Sequence, residues 1–268
     1  MGEIKTSISE RQKRGQISKE EIANFNEVST AELLVLLNST EPVKRTTAAT
    51  IIGKRKCNDF VLPLCFALAK EKALYARIAI SEALGEIGEP SVPPLILLLG
   101  KIGNNQEKEL PLKYFSKKSY PLARDIAART LIKIGESAIP QLIKMIEISD
   151  GFEAQQAIDA LGGIVNKTND KTALPCVLEA LDKYSENRLM VWKIVRALSG
   201  FRFVEVLAPL IRTYESSLEP AIRWEVIRSI GQIRIAADEV KALLTRSLED
   251  ENVIVRKAIK IVLENIKT

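Results

Sequence analysis

Residues Arg77 to Gly88 read RIAISEALGEIG: an arginine, a run of small and apolar residues, then a closing glycine. The phrase returns as Arg124–Gly135 (RDIAARTLIKIG), Ala154–Val165 (AQQAIDALGGIV) and Val191–Arg202 (VWKIVRALSGFR). It occurs again as Arg223–Arg234 (RWEVIRSIGQIR) and Arg256–Lys267 (RKAIKIVLENIK), with a weaker copy at Arg45–Lys56 (RTTAATIIGKRK). Small and apolar residues at offsets 3, 6, 7 and 10 from the first position share one helical face. The glycine near the end is a helix stop. Each copy therefore predicts one helix, B.

A second phrase precedes most copies: an apolar residue, Pro, then a Leu/Ile-rich turn. Its prolines at 63, 94, 140, 175 and 209 are spaced by 31, 46, 35 and 34. Proline suits the first helical turn, where its missing N–H would be unpaired anyway. Each proline therefore marks the start of a first helix, A. Two antiparallel helices per thirty-odd residues cannot bury their apolar faces alone, so neighbours must stack. The fold class is all-α, a right-handed α-α superhelix of about seven helix pairs.

Both phrases together resemble the HEAT-repeat family, in particular the bacterial and archaeal HEAT-like group that includes phycobiliprotein lyase subunits. The resemblance covers about residues 29 to 268. It implies a solenoid whose B helices line the concave side.

Before it, residues 1–28 read as an N-terminal segment. A leading capping helix is expected over 17–28, with Ser18 as N-cap and Glu21 at its third helical position, and residues 1–16 are expected to be mobile. The 46-residue proline interval exposes an insertion at 100–119 within repeat three, between its A and B helices. It carries five lysines against two glutamates, with Tyr114 and Phe115 between them. Such a loop suits either an acidic partner or plain solvation.

Composition narrows the chemistry. Hydrophobic residues make up 46% and aromatics only 5%, so the core must be aliphatic. No stretch approaches about 18 uninterrupted apolar residues, so no membrane span is expected. The N-terminus lacks the apolar centre of a signal peptide, which points to the cytoplasm. Three cysteines without a C-x-x-C pair read as buried reduced thiols. Histidine is absent. That removes the Ser-His-Asp and Cys-His nucleophile systems and every histidine-ligated zinc or iron site. No catalytic residue, metal or cofactor is expected. The net charge of +5 permits an acidic partner without requiring one.

At 100° per residue, offsets 1, 5 and 8 of helix B point away from the packed face. Trp192 and Trp224 fall at offset 1 of adjacent repeats, and each is followed four residues later by arginine, Arg196 and Arg228. Arg129 and Asp159 share offset 5, and Lys257 and Lys260 extend the basic character into the last repeat. Tryptophan and arginine together suit a binding hot spot. The same spacing also lets each arginine stack on its own tryptophan. The arginine at offset 0 (Arg45, Arg77, Arg124, Arg223, Arg256) instead reads as a ladder bonding loop carbonyls and acids such as Asp250.

Two functions follow as expectations. The first is a non-enzymatic scaffold or adaptor that binds a protein or peptide on the concave B-helix surface. The second is nucleic-acid binding, with the arginines and lysines on phosphates and the tryptophans on bases. In kind of residue the second resembles the HEAT-like alkylpurine DNA glycosylases, with Asp159 as the analogous carboxylate. Those enzymes carry tryptophan and aspartate one turn apart, whereas both tryptophans here are followed at that spacing by arginine. The HEAT-repeat deoxyhypusine hydroxylases hold iron through His-Glu pairs, which this chain lacks.

Overall fold

The computed structural model describes residues 8–23, 25, 27–111 and 120–266. Among them there is helix and no strand. The chain divides into two compact units, residues 1–102 and 103–268.

Unit 1 begins with two short helices, α1 (Ile8–Lys13) and α2 (Lys19–Ala23). Ser18 and Glu21 cap α2 reciprocally: the Ser18 amide donates to the Glu21 carboxylate at 2.9 Å, and the Glu21 amide donates to Ser18 Oγ at 3.1 Å. Residues 8–13, expected to be mobile, are helical, and α1 packs on a later helix of the unit, α4 (Pro42–Arg55). Gly15 sits at φ 90°, and a Cβ there would lie 3.1 Å from the Ala76 amide nitrogen. Glycine alone lets the chain pass this close. Two helix pairs follow, α3 (Thr30–Leu37) with α4, and α5 (Val61–Lys70) with α6 (Leu74–Ile87), then the short α7 (Val92–Ile96).

Unit 2 opens with residues 103–111 and 120–125, an irregular segment outside any helix, and continues as α8 (Ile126–Ile134), α9 (Ile139–Ile148), α10 (Phe152–Thr168) and α11 (Leu174–Lys183). The series runs on through α12 (Arg188–Leu198), α13 (Leu207–Ser216), α14 (Pro220–Ile233), α15 (Asp238–Arg246) and α16 (Val253–Ile266). The B helices α8, α10, α12, α14 and α16 pack each on the next in sequence order, and the A helices lie against their own B helices. This is an all-α array of stacked helix pairs. No helix among the described residues is long and apolar enough to cross a membrane.

The closing position of phrase B is a left-handed or positive-φ cap in four copies: Lys56 (51°), Gly88 (84°), Gly135 (93°) and Arg234 (57°). In the longer α10 the cap moves on to Asn169 (59°). The stop is therefore set by backbone geometry, which glycine satisfies in only two of these copies.

An arginine ladder ties the helix starts to the preceding loops. The arginine at the fourth position of each of five B helices donates to the carbonyl six residues earlier. The pairs are Arg45 to Ser39, Arg77 to Glu71, Arg129 to Ala123, Arg223 to Ser217 and Arg256 to Asp250. Two of those carbonyl residues are acids, and their carboxylates take the previous repeat's arginine side-on. Glu71 accepts from Arg45 Nε at 2.6 Å and Nη2 at 2.9 Å, and Asp250 accepts from Arg223 Nε at 2.8 Å and Nη2 at 3.1 Å. Such bidentate pairs are the strong form of the interaction.

Repeat three corrects the sequence reading. Arg129, expected on the partner face, is the ladder residue, and Arg124 is not. Helix α8 has 9 residues where α6 and α14 have 14. Counting back from Gly135 therefore lands on Arg124, while counting from the helix start lands on Arg129. The late start is fixed by Asp125, a buried N-cap that accepts from the Ala128 amide at 2.9 Å. The three cysteines are free; Cys65 is buried, while Cys57 and Cys176 are half-buried. Burial pushes the Cys65 thiol up to about 12.

Candidate functional site

In the middle of unit 2 the B helices are buried on every side. Ala154 to Val165 of α10, Met190 to Leu198 of α12 and Ala221 to Ile230 of α14 contain no exposed residue. A polar row nevertheless runs across these three helices. Lys193, with none of its surface exposed, donates to Asp159 Oδ2 at 2.8 Å and to Glu107 Oε2 at 3.1 Å. Arg196 donates to Asp159 Oδ1 at 2.6 Å and to Glu107 Oε1 at 3.1 Å. Two cations from one helical turn are thus bridged by two carboxylates, one from α10 and one from the irregular segment. On α14, Arg228 Nε donates to Glu225 Oε1 at 2.6 Å.

Glu107 lies outside every helix and reaches the row across 86 residues of sequence. Arg124 also pairs with it, at 3.1 Å, and neighbouring Gln106 donates to Asp125 at 3.3 Å. Burial alone would raise the Glu107 pKa; Arg196 and Lys193 outweigh it and bring the carboxyl down to about 2. Burial likewise opposes the charge of Arg196, but Asp159 and Glu107 hold its pKa above the ordinary value.

This geometry corrects the sequence expectation of an exposed patch. Trp192 and Trp224 are 5% and 7% exposed, and Arg196, Arg228 and Asp159 are buried with them. A helical wheel gives each B helix a free side. In the structure α12 is flanked by α10, α11 and α14, and Glu107 of the irregular segment reaches in between its cations. Arg196 stacks on its own Trp192, with the guanidinium carbon 4.4 Å from the ring centroid. Arg129 is half-buried, and only Lys257 and Lys260 of the expected group stand exposed. Arg196 and Arg228 are committed to carboxylates and the tryptophans are enclosed, so they do not present the phosphate-and-stacking surface that nucleic acid needs. Asp159 is tied between two cations, unlike a carboxylate poised over a substrate.

Sequence reasoning missed Lys193 and Glu107. Lys193 had a signal: it is a lone lysine within the apolar run Met190–Leu198, where burial demands a partner. Glu107 had none, because nothing local links it to α12. Of the insertion, residues 112–119, which include Tyr114 and Phe115, lie outside the described residues.

Some polar atoms of the row have no partner among the described residues: Trp192 Nε1, Arg228 Nη1, Tyr120 Oη and both side-chain polar atoms of Gln156. Beside the row a cavity of about 560 Å³ opens, lined by Trp192, Arg196, Arg124, Arg129, Lys108 and Leu122 among others. Arg124 is half exposed and Leu122 more so. No group of three or more His, Cys, Asp or Glu side chains able to hold a metal occurs among the described residues.

Comparison with known proteins adds little. No family model matches the chain, and no curated protein matches it. Among solved structures it is similar to a designed armadillo repeat protein in complex with the peptide (KR)4. The identity is 15%, 88% of this chain and 98% of that chain are covered, and the TM-score is 0.44. The class assignment, an all-α helix-pair repeat protein, rests on the element order and packing described above.

Proposed function

We propose that this protein is a non-enzymatic scaffold of the HEAT type that binds an acidic, extended segment of a partner protein on the B-helix face of unit 2. One observation carries the reading: Lys193 and Arg196 already take a carboxylate from a segment outside the helices, with Glu107 seated between them. The cavity alongside is lined by Arg124, Arg129, Lys108 and Trp192, with Glu107 and Glu109 as the acids among them. The arginine ladder supports the repeat type, since it ties five B-helix starts to loop carbonyls at a fixed spacing of six residues. Most solenoids act through such stacked faces. The partner contacts we assign are Arg124, Lys108 and Leu122, with the edges of Trp192 and Arg196 as the cavity wall.

A fluorescent Glu-rich peptide titrated against the full chain tests this. Saturable binding is expected, weakened about 10-fold or more by the Lys108→Glu, Arg124→Glu double variant. Absence of binding at low salt, or indifference to that variant, would sink the proposal. Tighter retention of duplex DNA than of peptide would favour nucleic acid instead.

A further inference from the structure

Unit 1 carries a second concavity, separate from the polar row. It has a volume of about 900 Å³ and lies where α3, α5 and the start of α6 meet the turn after α1. Its apolar lining includes Leu34, Phe66 and Leu74. Leu34 is 44% exposed and Phe66 67% exposed, although both stand on helices whose other faces pack into the core. Single exposed apolar residues are ordinary, but three lining one hollow are a feature of binding surfaces.

The rim is cationic. Lys13, Arg14, Lys70 and Lys72 all border the hollow and are exposed, and none has a carboxylate partner among the described residues. The one acid in the lining, Glu71, is spent: both its oxygens accept from Arg45, and one also accepts from the Ala73 amide at 2.8 Å. The field of the hollow is therefore set by four unneutralised cations beside exposed apolar side chains.

We propose that this hollow is a docking site for an acidic amphipathic segment of a partner protein. The segment's apolar side chains would seat on Leu34, Phe66 and Leu74, and its carboxylates would meet Lys13, Arg14, Lys70 and Lys72. A second copy of this chain is disfavoured as occupant, because a symmetric contact would set four cations against four. The inference is independent of the peptide face on unit 2 and involves none of its residues.

Anisotropy titrations on the full chain test it with two labelled peptides of about 16 residues. Each has a Leu/Phe stripe at helical spacing, flanked by glutamates in one and by lysines in the other. The glutamate peptide should bind saturably, and the lysine peptide at least about 10-fold more weakly. Phe66→Asp should weaken binding about 10-fold or more. Lys70→Glu with Lys72→Glu should do the same; these two touch only exposed charges, so they report even if Phe66→Asp misfolds. Neither change should alter binding of the Glu-rich peptide that Lys108→Glu, Arg124→Glu weakens. No saturable binding, equal binding of both peptides, or indifference to both variants would overturn the proposal. So would variant-sensitive binding to phosphatidylserine-containing vesicles without peptide binding, or a variant-sensitive dimer in sedimentation.

Discussion

Lys193 is held without any contact with water because two carboxylates close on it, and Asp159 and Glu107 each serve Arg196 as well. Burying such charges is costly, and full pairing is what makes it tolerable. The arrangement has a pH signature. The folded-state pKa of Glu107 is depressed from 4.5 to about 2. A depressed carboxyl contributes stability that is fully present above the unfolded value and is lost as pH falls through the folded one. The loss should therefore occur between pH 4.5 and about 2, and amount to on the order of 2–3 kcal/mol after screening. Urea unfolding of wild type and Glu107→Gln at pH 6 and pH 3 measures it. The difference between the two proteins should shrink at pH 3. A constant difference would show that the carboxylate charge is not what matters there.

At the scale of the helix, the ends of several B helices are held by positive-φ caps that the sequence fills unevenly. Gly88 and Gly135 adopt positive φ freely, whereas Lys56 and Arg234 do so against their Cβ atoms. Both side chains are exposed. Replacing Arg234 or Lys56 by glycine should therefore stabilise the protein by roughly 0.5–1 kcal/mol each, read as a higher urea midpoint at unchanged slope. A lower midpoint would mean that the side chains contribute more than the backbone strain costs. The same caps explain why the closing glycine of the phrase was a good but incomplete guide. The helix end fell at the expected position with or without glycine, at Gly88, Gly135, Lys56 and Arg234, whereas α10 runs on to a cap at Asn169.

Within unit 2 the helix pairs form a nearest-neighbour array, so each inter-repeat link matters to the repeats beyond it. The last link is Asp250, which accepts from Arg223 and from Tyr214 at 2.6 Å, while its own carbonyl takes Arg256. Asp250→Asn should loosen α15 and α16 while leaving α8 to α12 unchanged. Amide exchange would show protection lost in the terminal pair alone. A uniform loss across the unit would mean that it unfolds as one cooperative block.

The sequence by itself determined the helix pairs, their order and four of the five ladder arginines, because these depend on local spacing: period 3.6, proline at a helix start, arginine at the head of each phrase. It could not determine which B-helix faces meet water. A helical wheel gives the direction of Trp192, Arg196 and Asp159 relative to their own helix, and those directions are polar enough to suggest a surface. Only the tertiary structure brings Glu107 onto α12, closes the row and turns those residues into a buried network. The physical reason is range. Secondary structure is set by neighbours a few residues apart, whereas the neutralisation of Lys193 depends on a carboxylate 86 residues away, whose position no local pattern encodes.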